Sequence, residues 1–388
     1  MKNILFVDDE VNILNGLKRM LNTKKKVWHM VFVESGAKAL EILQVNSFDI
    51  VVSDMRMPCM DGAKLLTTIR ANYPRMGRIA LSGYSDTQMI LESIKATHLF
   101  ISKPTDFATL SSAIERCLSI QSMVQDKDLC DFISGISTLP CLPEIYKKLV
   151  CELSSKEASI DSVGRIVELD IAMSVKLLQI VNSAYFGLAR EVTSPTEAAA
   201  HLGLDIIKSL VLSIKVFEVF EDDVDVKKIS KVFSRSQTVA KLAVAMAKEA
   251  GYGLNECNQL LTAGLLQDIG KLVICSYFPQ ALQAEYDAQA NVDLTLLLEL
   301  ERGIYGVSHE QIAVYLLHLW GIPLPVVECV AHHHNSASLI NFDALSLPDI
   351  LYLSNLVESK KCGNNFPEDI DKSETFQEYI KQWQSVIT

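Results

Sequence analysis

The chain has 388 residues, of which 49% are hydrophobic and 21% charged, so it can form about two or three domains that each bury a core. The formal net charge of −11 and the pI near 5.3 argue against broad binding to nucleic acid or to anionic membranes. Apolar runs stay shorter than the ~20 residues of a membrane span, and the first residues lack a signal-peptide pattern. We therefore expect a cytoplasmic protein with no membrane insertion.

The cysteines exclude two further classes of site. All nine are scattered along the chain, and no CxxC pair occurs among them. A disulfide framework needs an even number of cysteines, and a thiolate zinc site needs closely spaced pairs such as CxxC. We expect reduced thiols.

The first part of the chain, about 120 residues, alternates short apolar runs with amphipathic segments. This alternation is typical of an α/β doubly wound parallel sheet covered by helices on both faces. The predicted strands are Ile4–Val7, Val31–Val33, Phe48–Ser53, Arg78–Leu81 and Leu99–Ile101. Helices are predicted through Ile13 and Leu17, over Ala37–Leu43, over Leu65–Arg70 and from Phe107 onward.

Polar residues follow these strands at the points where the strands end. Asp8 and Asp9 follow the first strand, Asp54 the third, Ser82 the fourth and Lys103 the fifth. Because ligands of doubly wound sheets bind beyond the carboxyl ends of the strands, the pattern places all five residues around one site.

The chemistry of these residues points to phosphoryl transfer. Asp8, Asp9 and Asp54 offer hard oxygen ligands of the kind that Mg²⁺ prefers. Bound Mg²⁺ neutralises charge on a phosphoryl group, and the Asp54 carboxylate is a competent nucleophile. Lys103 supplies a positive charge and Ser82 a hydrogen-bond donor for phosphoryl oxygens.

Four segments at these positions resemble the receiver domain of two-component response regulators, over residues 1–120. They are FVDDE at 6–10, DMRMPCMDG at 54–62, LSGYSD at 81–86 and SKP at 102–104. The resemblance implies that Asp54 accepts a phosphoryl group from a sensor histidine kinase or a phosphotransfer protein. It also implies that the Arg56 carbonyl joins the aspartates in holding Mg²⁺, and that Ser82 and Phe100 change position on phosphorylation.

The second half of the chain reads as a separate all-α domain. Its predicted helices include Leu142–Leu153, Ile160–Leu169, Ala172–Asn182, Thr196–Leu202, Ile206–Phe217 and Lys231–Ala250. Residues 121–134 are mostly polar and form a predicted helical connector, and residues 336–388 complete or flank the helical domain. The oligomeric state stays open, and a homodimer is one of the possibilities.

Four segments of this half resemble the HDOD domain, a relative of the HD metal-dependent phosphohydrolases, over residues 135–335. They are TLPCLPEI at 138–145, LLQIVNSAYFGL at 177–188, EAAAHLGLDIIKSLVL at 197–212 and GLLQDIGKLV at 264–273. The resemblance implies an output domain that binds a signalling protein, here an unidentified one.

The resemblance also shows where this chain departs from the enzymes. Those enzymes hold metal through an adjacent His-Asp pair, which reads Gln267-Asp268 here, and through a first histidine and a closing aspartate, which read Arg235 and Asn355. A neutral amide and a guanidinium are poor metal ligands. The catalytic site therefore reads as degenerate.

Histidines at two further positions match those that the enzymes use. They are His309 and one residue of the run at 332–334, taken here as His333. Consecutive helical residues point about 100° apart, so the three histidines of the run are not all expected to converge on one ion. We expect no metal in the helical domain.

These features predict a response regulator in which phosphorylation of Asp54 controls protein binding by the HDOD half. Catalysis is limited to the receiver's own phosphorylation and dephosphorylation. The alternative is a metal-dependent phosphohydrolase or phosphodiesterase that acts on a nucleotide or cyclic dinucleotide. A transcription factor would need a basic helix-turn-helix segment, which does not stand out in this acidic sequence, so nucleic acid is not an expected partner.

Overall fold

The structure is a computed structural model of the chain. It describes residues 1–83, 93, 96–121, 133, 136, 139–155, 157–182, 188, 190–213, 218–219, 226–277, 294–334, 340 and 344–361. Most of the predicted connector, the segment 183–187 and the C-terminal residues 362–388 therefore lie outside the described residues.

The N-terminal domain is a five-stranded parallel sheet, as the sequence predicted, and its strands lie in the order β2-β1-β3-β4-β5. The strands are β1 Lys2–Val7, β2 Trp28–Val33, β3 Ile50–Asp54, β4 Gly77–Ser82 and β5 Leu99–Ser102. The helices are α1 Val11–Met20, α2 Gly36–Leu43, α3 Gly62–Asn72 and α4 Phe107–Gln121, with a 3₁₀ helix at Asn22–Lys26. The strand order reverses between β1 and β3, where doubly wound sheets bind their ligands.

Two apolar layers explain why the central strands are almost continuously hydrophobic. Successive residues of a strand face opposite sides of the sheet. Accordingly, Ile4 and Val52 pack into one core cluster, while Leu5 and Val51 pack into the other. Helices cover both faces, so both sets of side chains leave water, which stabilises each face by about 25 cal/mol per Å² of apolar surface.

The C-terminal domain is helical, as predicted. Its helices are α5 Pro143–Ser154, α6 Ile160–Val167, α7 Ile171–Val181, α8 Pro195–Lys208, α9 Val226–Glu249, α10 Leu254–Leu266, α11 Ile269–Tyr277, α12 Leu294–Tyr305, α13 His309–Leu319, α14 Leu324–Ala331 and α15 Leu347–Lys361. A short parallel ladder of β6 Pro140–Cys141 and β7 Glu218–Val219 was not foreseen. Gly203 has a φ of 77° and kinks α8 where the sequence predicted a break between two helices.

Two glycines allow the helices of this domain to approach closely. A Cβ on Gly264 of α10 would lie 2.5 Å from the Ala240 Cα of α9, and one on Gly270 of α11 would lie 2.0 Å from the His309 carbonyl oxygen. Neither contact is compatible with a side chain. The Gly270 contact therefore sets the distance between the start of α11 and the start of α13.

The helical domain covers the β5 and α4 side of the sheet. Helix α4 contacts α13, and Arg116 of α4 donates a hydrogen bond to the Ile322 carbonyl oxygen. The Leu99 side chain of β5 lies against Gly321. A cavity of about 220 Å³ remains between the two domains, lined by Phe100, Arg116 and Trp320 among others.

Asp170 ties two helix starts together and offers a test of the helical domain. This carboxylate is fully buried, and it accepts hydrogen bonds from the Met173 amide at 2.9 Å and the Leu142 amide at 2.7 Å. Asp170→Ala leaves two buried amides unpaired, so we expect a loss of about 2–4 kcal/mol in the free energy of unfolding. Thermal unfolding of the full chain measures this loss as a lower Tm. The exposed Asp205→Ala serves as the control, and equal Tm values for both variants would contradict the assignment.

Candidate functional site

The carboxyl ends of β1 and β3 bring the three predicted aspartates together. Carboxylate oxygens of Asp8, Asp9 and Asp54 all lie within 4.8 Å of one another. Asp8 and Asp54 are buried, whereas Asp9 is half-buried. Like charges at this distance and burial repel one another unless a cation compensates them.

Lys103 supplies such a cation. Its Nζ lies 2.5 Å from Asp54 Oδ1 and 2.8 Å from Asp8 Oδ2, while its backbone amide donates to the Ser82 carbonyl at 2.8 Å. Burial raises the pKa of Asp54, although the neighbouring lysine opposes this. Burial opposes the charge on Lys103, but the two carboxylates outweigh it and raise its pKa. Lysine and carboxylates therefore stabilise each other's charged forms.

The backbone around the site holds the carboxylates in place. The Glu10 amide donates to Asp8 Oδ1 at 2.9 Å, and the Arg56 amide donates to Asp54 Oδ2 at 3.2 Å. Arg56 lies in the turn directly after β3. The resemblance to receiver domains implies that its backbone carbonyl helps to hold Mg²⁺. A Cβ on Gly62 would lie 2.2 Å from the Asp54 carbonyl oxygen, so this turn requires glycine.

Ser82 and Phe100 lie on neighbouring strands beside this cluster. Ser82 ends β4, is buried, and its Oγ has no hydrogen-bond partner in the described structure. Phe100 on β5 is 7% exposed and borders the cavity that also contacts Trp320. An unpaired hydroxyl next to an acidic cluster is a ready donor to an incoming oxyanion.

A second cluster lies between α9, α10 and α15 of the helical domain, and it brings together Arg235, Gln267 and Asn355. The Arg235 guanidinium donates to Asp268 Oδ2 at 2.8 Å and to Asn355 Oδ1 at 2.9 Å. Gln267 and Asn355 exchange hydrogen bonds of 3.0 and 2.6 Å. A cation and two paired amides, which are poor metal ligands, thus form this cluster.

A third group of residues adjoins Asp268 on its other side. Donor atoms of Asp268, His309, His333 and His334 lie within 4.8 Å of one another, and all four residues are buried. As expected, the three histidines of the run do not all converge, since His332 is not part of the group, but His333 and His334 do. Helix α14 ends at Ala331 and His332 caps it with a φ of −118°, so His333 and His334 are not in helical positions. Both rings turn inward, and His332 stays outside.

Residues that the sequence analysis did not single out orient this group. Both Glu301 oxygens lie 2.7–2.9 Å from His309 Nδ1, and the Val330 carbonyl accepts from His333 Nδ1 at 2.6 Å. Lys271 Nζ lies 2.6 Å from Asp268 Oδ1, a contact that the three-residue spacing from Asp268 signalled. The role of Glu301 depends on helix packing and left no signal in the sequence.

Charges around this group fix its protonation. Burial opposes ionisation of Asp268, but Lys271 and Arg235 hold the pKa of this carboxyl well below its usual range. Burial lowers the pKa of His333 to about 3 and that of His334 well below its usual range. At neutral pH Asp268 is therefore a carboxylate, and His333 and His334 are neutral imidazoles.

None of the described helices combines the length and the apolar character that crossing a membrane requires.

Comparison with protein families divides the chain into the same two domains as the fold does. Residues 139–336 match the HDOD domain, and residues 4–115 match the response regulator receiver domain. An uncharacterized protein of Treponema pallidum is 26% identical over 229 residues, which cover 57% of this chain and 42% of that protein. The transcriptional regulatory protein ZraR of Escherichia coli K12 is 31% identical over 118 residues, which cover 30% of this chain and 26% of ZraR. The chain thus spans less than half the length of these curated relatives.

Solved structures show similarity to parts of the chain. The MmoQ response regulator of Methylococcus capsulatus Bath is 18% identical with a TM-score of 0.49, and the match covers 62% of this chain and 98% of that one. The signal receiver domain of an HD domain-containing protein from Pseudomonas fluorescens Pf-5 is 32% identical with a TM-score of 0.29. This match covers 30% of this chain and 94% of that one.

The contacts of Lys103 generate a prediction about Mg²⁺. The ammonium competes with a divalent cation for Asp8 and Asp54, so Lys103→Met is expected to tighten Mg²⁺ binding by about tenfold. Isothermal titration of the full chain measures the Kd. The exposed Lys64→Met removes a charge from the same domain without touching the cluster and should leave the Kd unchanged. Weaker binding in Lys103→Met would mean that the lysine organises the carboxylates rather than competing with the ion.

Proposed function

This chain belongs to the HDOD domain family and carries a response regulator receiver domain, and on that premise we propose that phosphorylation of Asp54 controls the binding of a partner protein to the HDOD domain. The main observation in support is the packing of the receiver's β5 and α4 against the HDOD domain. The acidic cluster and the output domain then share one structural unit.

The acidic cluster carries the phosphoryl transfer. An Asp54 oxygen attacks the phosphorus of a phosphohistidine on a sensor kinase or phosphotransfer protein, so a P–O bond forms as the P–N bond breaks, and the imidazole leaves. Asp8, Asp9 and the Arg56 carbonyl would hold Mg²⁺, which offsets the charge of the phosphoryl oxygens when bound. Lys103 then pairs with a phosphoryl oxygen. This contact replaces one of its two carboxylate contacts and is stronger, because the phosphoryl group carries more negative charge.

Ser82 and Phe100 would carry the signal from Asp54 to the domain contact. The unpaired Ser82 hydroxyl donates to a phosphoryl oxygen, which favours the state in which the end of β4 moves toward Asp54. Phe100 on the adjacent strand then repacks, because it borders the cavity shared with Trp320. The phosphoryl group shifts the populations of two states by its better contacts in one of them.

The proposed output is binding and not hydrolysis. Arg235, Gln267 and Asn355 satisfy one another in the part of the site where the enzymes hold metal. The alternative, a phosphohydrolase or phosphodiesterase acting on a nucleotide or cyclic dinucleotide, would need that part to accept an ion. We propose a signalling protein as the partner. The similarity to ZraR gives no reason to propose nucleic-acid binding, because the match covers about a quarter of the length of ZraR.

Phosphorylation of Asp54 can be tested directly. Incubation with acetyl phosphate and Mg²⁺ is expected to add one phosphoryl group to the chain, measured by intact mass spectrometry. Asp54→Asn should abolish the added mass because an amide is not a nucleophile at this site. Asp61→Asn is the matched control, since Asp61 caps α3 outside the cluster and asparagine caps equally well. Phosphorylation that survives in Asp54→Asn would contradict the assignment.

The contact between the domains generates a second test. Arg116→Ala removes the guanidinium that donates to the Ile322 carbonyl, so amide hydrogen exchange at Gly321 and Ile322 is expected to become several-fold faster. Phosphorylation should act in the same direction, while exchange in α9 stays constant. The exposed Arg19→Ala is the control. If phosphorylation left amide hydrogen exchange at residues 316–322 unchanged, the state of the receiver would not affect the HDOD domain through this contact, and the proposed route of control would be wrong.

A further inference from the structure

We propose that Asp268, His309, His333 and His334 form a binding site for a single divalent transition metal ion of the Zn²⁺ type. The proposal goes beyond the phosphorylation-controlled function above and does not depend on it. It also departs from the expectation of a metal-free helical domain. One ground for that expectation was that the histidine run is helical, whereas α14 ends at Ala331.

The donor set selects the class of metal. Three imidazole nitrogens and one carboxylate oxygen suit borderline cations such as Zn²⁺ and Co²⁺, whereas Mg²⁺ prefers oxygen ligands. Four protein ligands also fill a tetrahedral site completely. Catalytic zinc sites keep a position open for water, so this composition fits a structural or regulatory ion.

Unpaired donor atoms point to a missing ligand. His333 Nε2 and His334 Nδ1 are buried and lack hydrogen-bond partners in the described structure. Asp268 Oδ1 is ion-paired with Lys271 at 2.6 Å, and His309 Nε2 and His334 Nε2 share a hydrogen bond of 2.9 Å. Buried imidazole nitrogens are rarely left without a partner unless something binds them.

The rings are already held in the orientation that ligation requires. Glu301 accepts from His309 Nδ1 and also from the His309 backbone amide at 2.8 Å, and the Val330 carbonyl accepts from His333 Nδ1. These bonds direct both Nε2 atoms toward Asp268 Oδ1, at 3.8 Å for His309 and 3.9 Å for His333. A carboxylate or carbonyl behind each ligating imidazole is the usual support of a histidine metal site.

The local charges accept one divalent ion and no more. Four carboxylates, Asp268, Glu301, Glu310 and Glu358, face three cations, Arg235, Lys271 and Arg302, which leaves a net charge of −1. One divalent ion brings the group to +1. A second ion would have to displace Arg235 from Asp268 Oδ2, so the site is mononuclear.

Bound metal would join three parts of the domain that are distant in sequence. Asp268 precedes α11, His309 begins α13, and the paired histidines follow α14. The ion therefore links α11, α13 and the chain beyond α14, and α13 also contacts the receiver's α4.

The test uses the full chain, stripped with a chelator and then titrated with Co²⁺ in the presence of excess Mg²⁺ to saturate the receiver cluster. We expect about one Co²⁺ per chain and the visible absorption bands of tetrahedral nitrogen–oxygen coordination. Zn²⁺ should displace Co²⁺ and raise the Tm. Absence of these bands in the wild-type chain would overturn the proposal, whatever the variants do.

Variants locate the bound ion. His309→Gln and His334→Gln should each weaken Co²⁺ binding by about tenfold or more, while His332→Gln, the adjacent histidine outside the group, should not. Asp54→Asn should bind normally, which separates this site from the receiver and from the phosphorylation proposal. Equal binding by wild type and His309→Gln would place the ion elsewhere and overturn the assignment. Far-UV circular dichroism of each variant verifies that it is folded.

Discussion

Buried carboxylates that require cationic partners organise both halves of this protein. In the receiver, Lys103 compensates Asp8 and Asp54, and in the HDOD domain Arg235 and Lys271 compensate Asp268. A carboxylate removed from water is stable as an anion only when such contacts replace hydration. The same contacts make each site responsive, because an incoming phosphoryl group or metal ion changes a charge balance that the fold has already set.

The two sites respond to different chemistry because their other ligands differ. The receiver offers carboxylate and carbonyl oxygens at a sheet edge, with Asp9 still half-exposed, which suits a hydrated Mg²⁺ and an incoming phosphoryl donor. The HDOD group offers imidazole nitrogens in a closed interior, which suits an ion that stays bound. This difference in ligands agrees with the two proposals, a transient modification at the receiver and a retained ion in the HDOD domain.

The contact between β5, α4 and α13 connects these sites in one structure. Phe100 and Trp320 both line the cavity between the domains, and α13 begins at His309. Packed side chains therefore join the receiver to the HDOD domain, and this is the route along which we propose that phosphorylation of Asp54 acts. The amide and guanidinium network of Arg235, Gln267 and Asn355 fills the remaining part of the HDOD site, which is consistent with an output by binding.

The sequence by itself determined the α/β and all-α halves and the strand-end residues from Asp8 to Lys103. These follow from local patterns, since hydrophobic periodicity and the residue after a strand are set by neighbours in the chain. Only the tertiary structure decided that His333 and His334 turn inward together, that Glu301 supports His309, and that the HDOD domain covers Phe100. The end of α14 at Ala331 and the approach of α11 to α13 across Gly270 depend on packing between distant segments, which residue spacing does not encode.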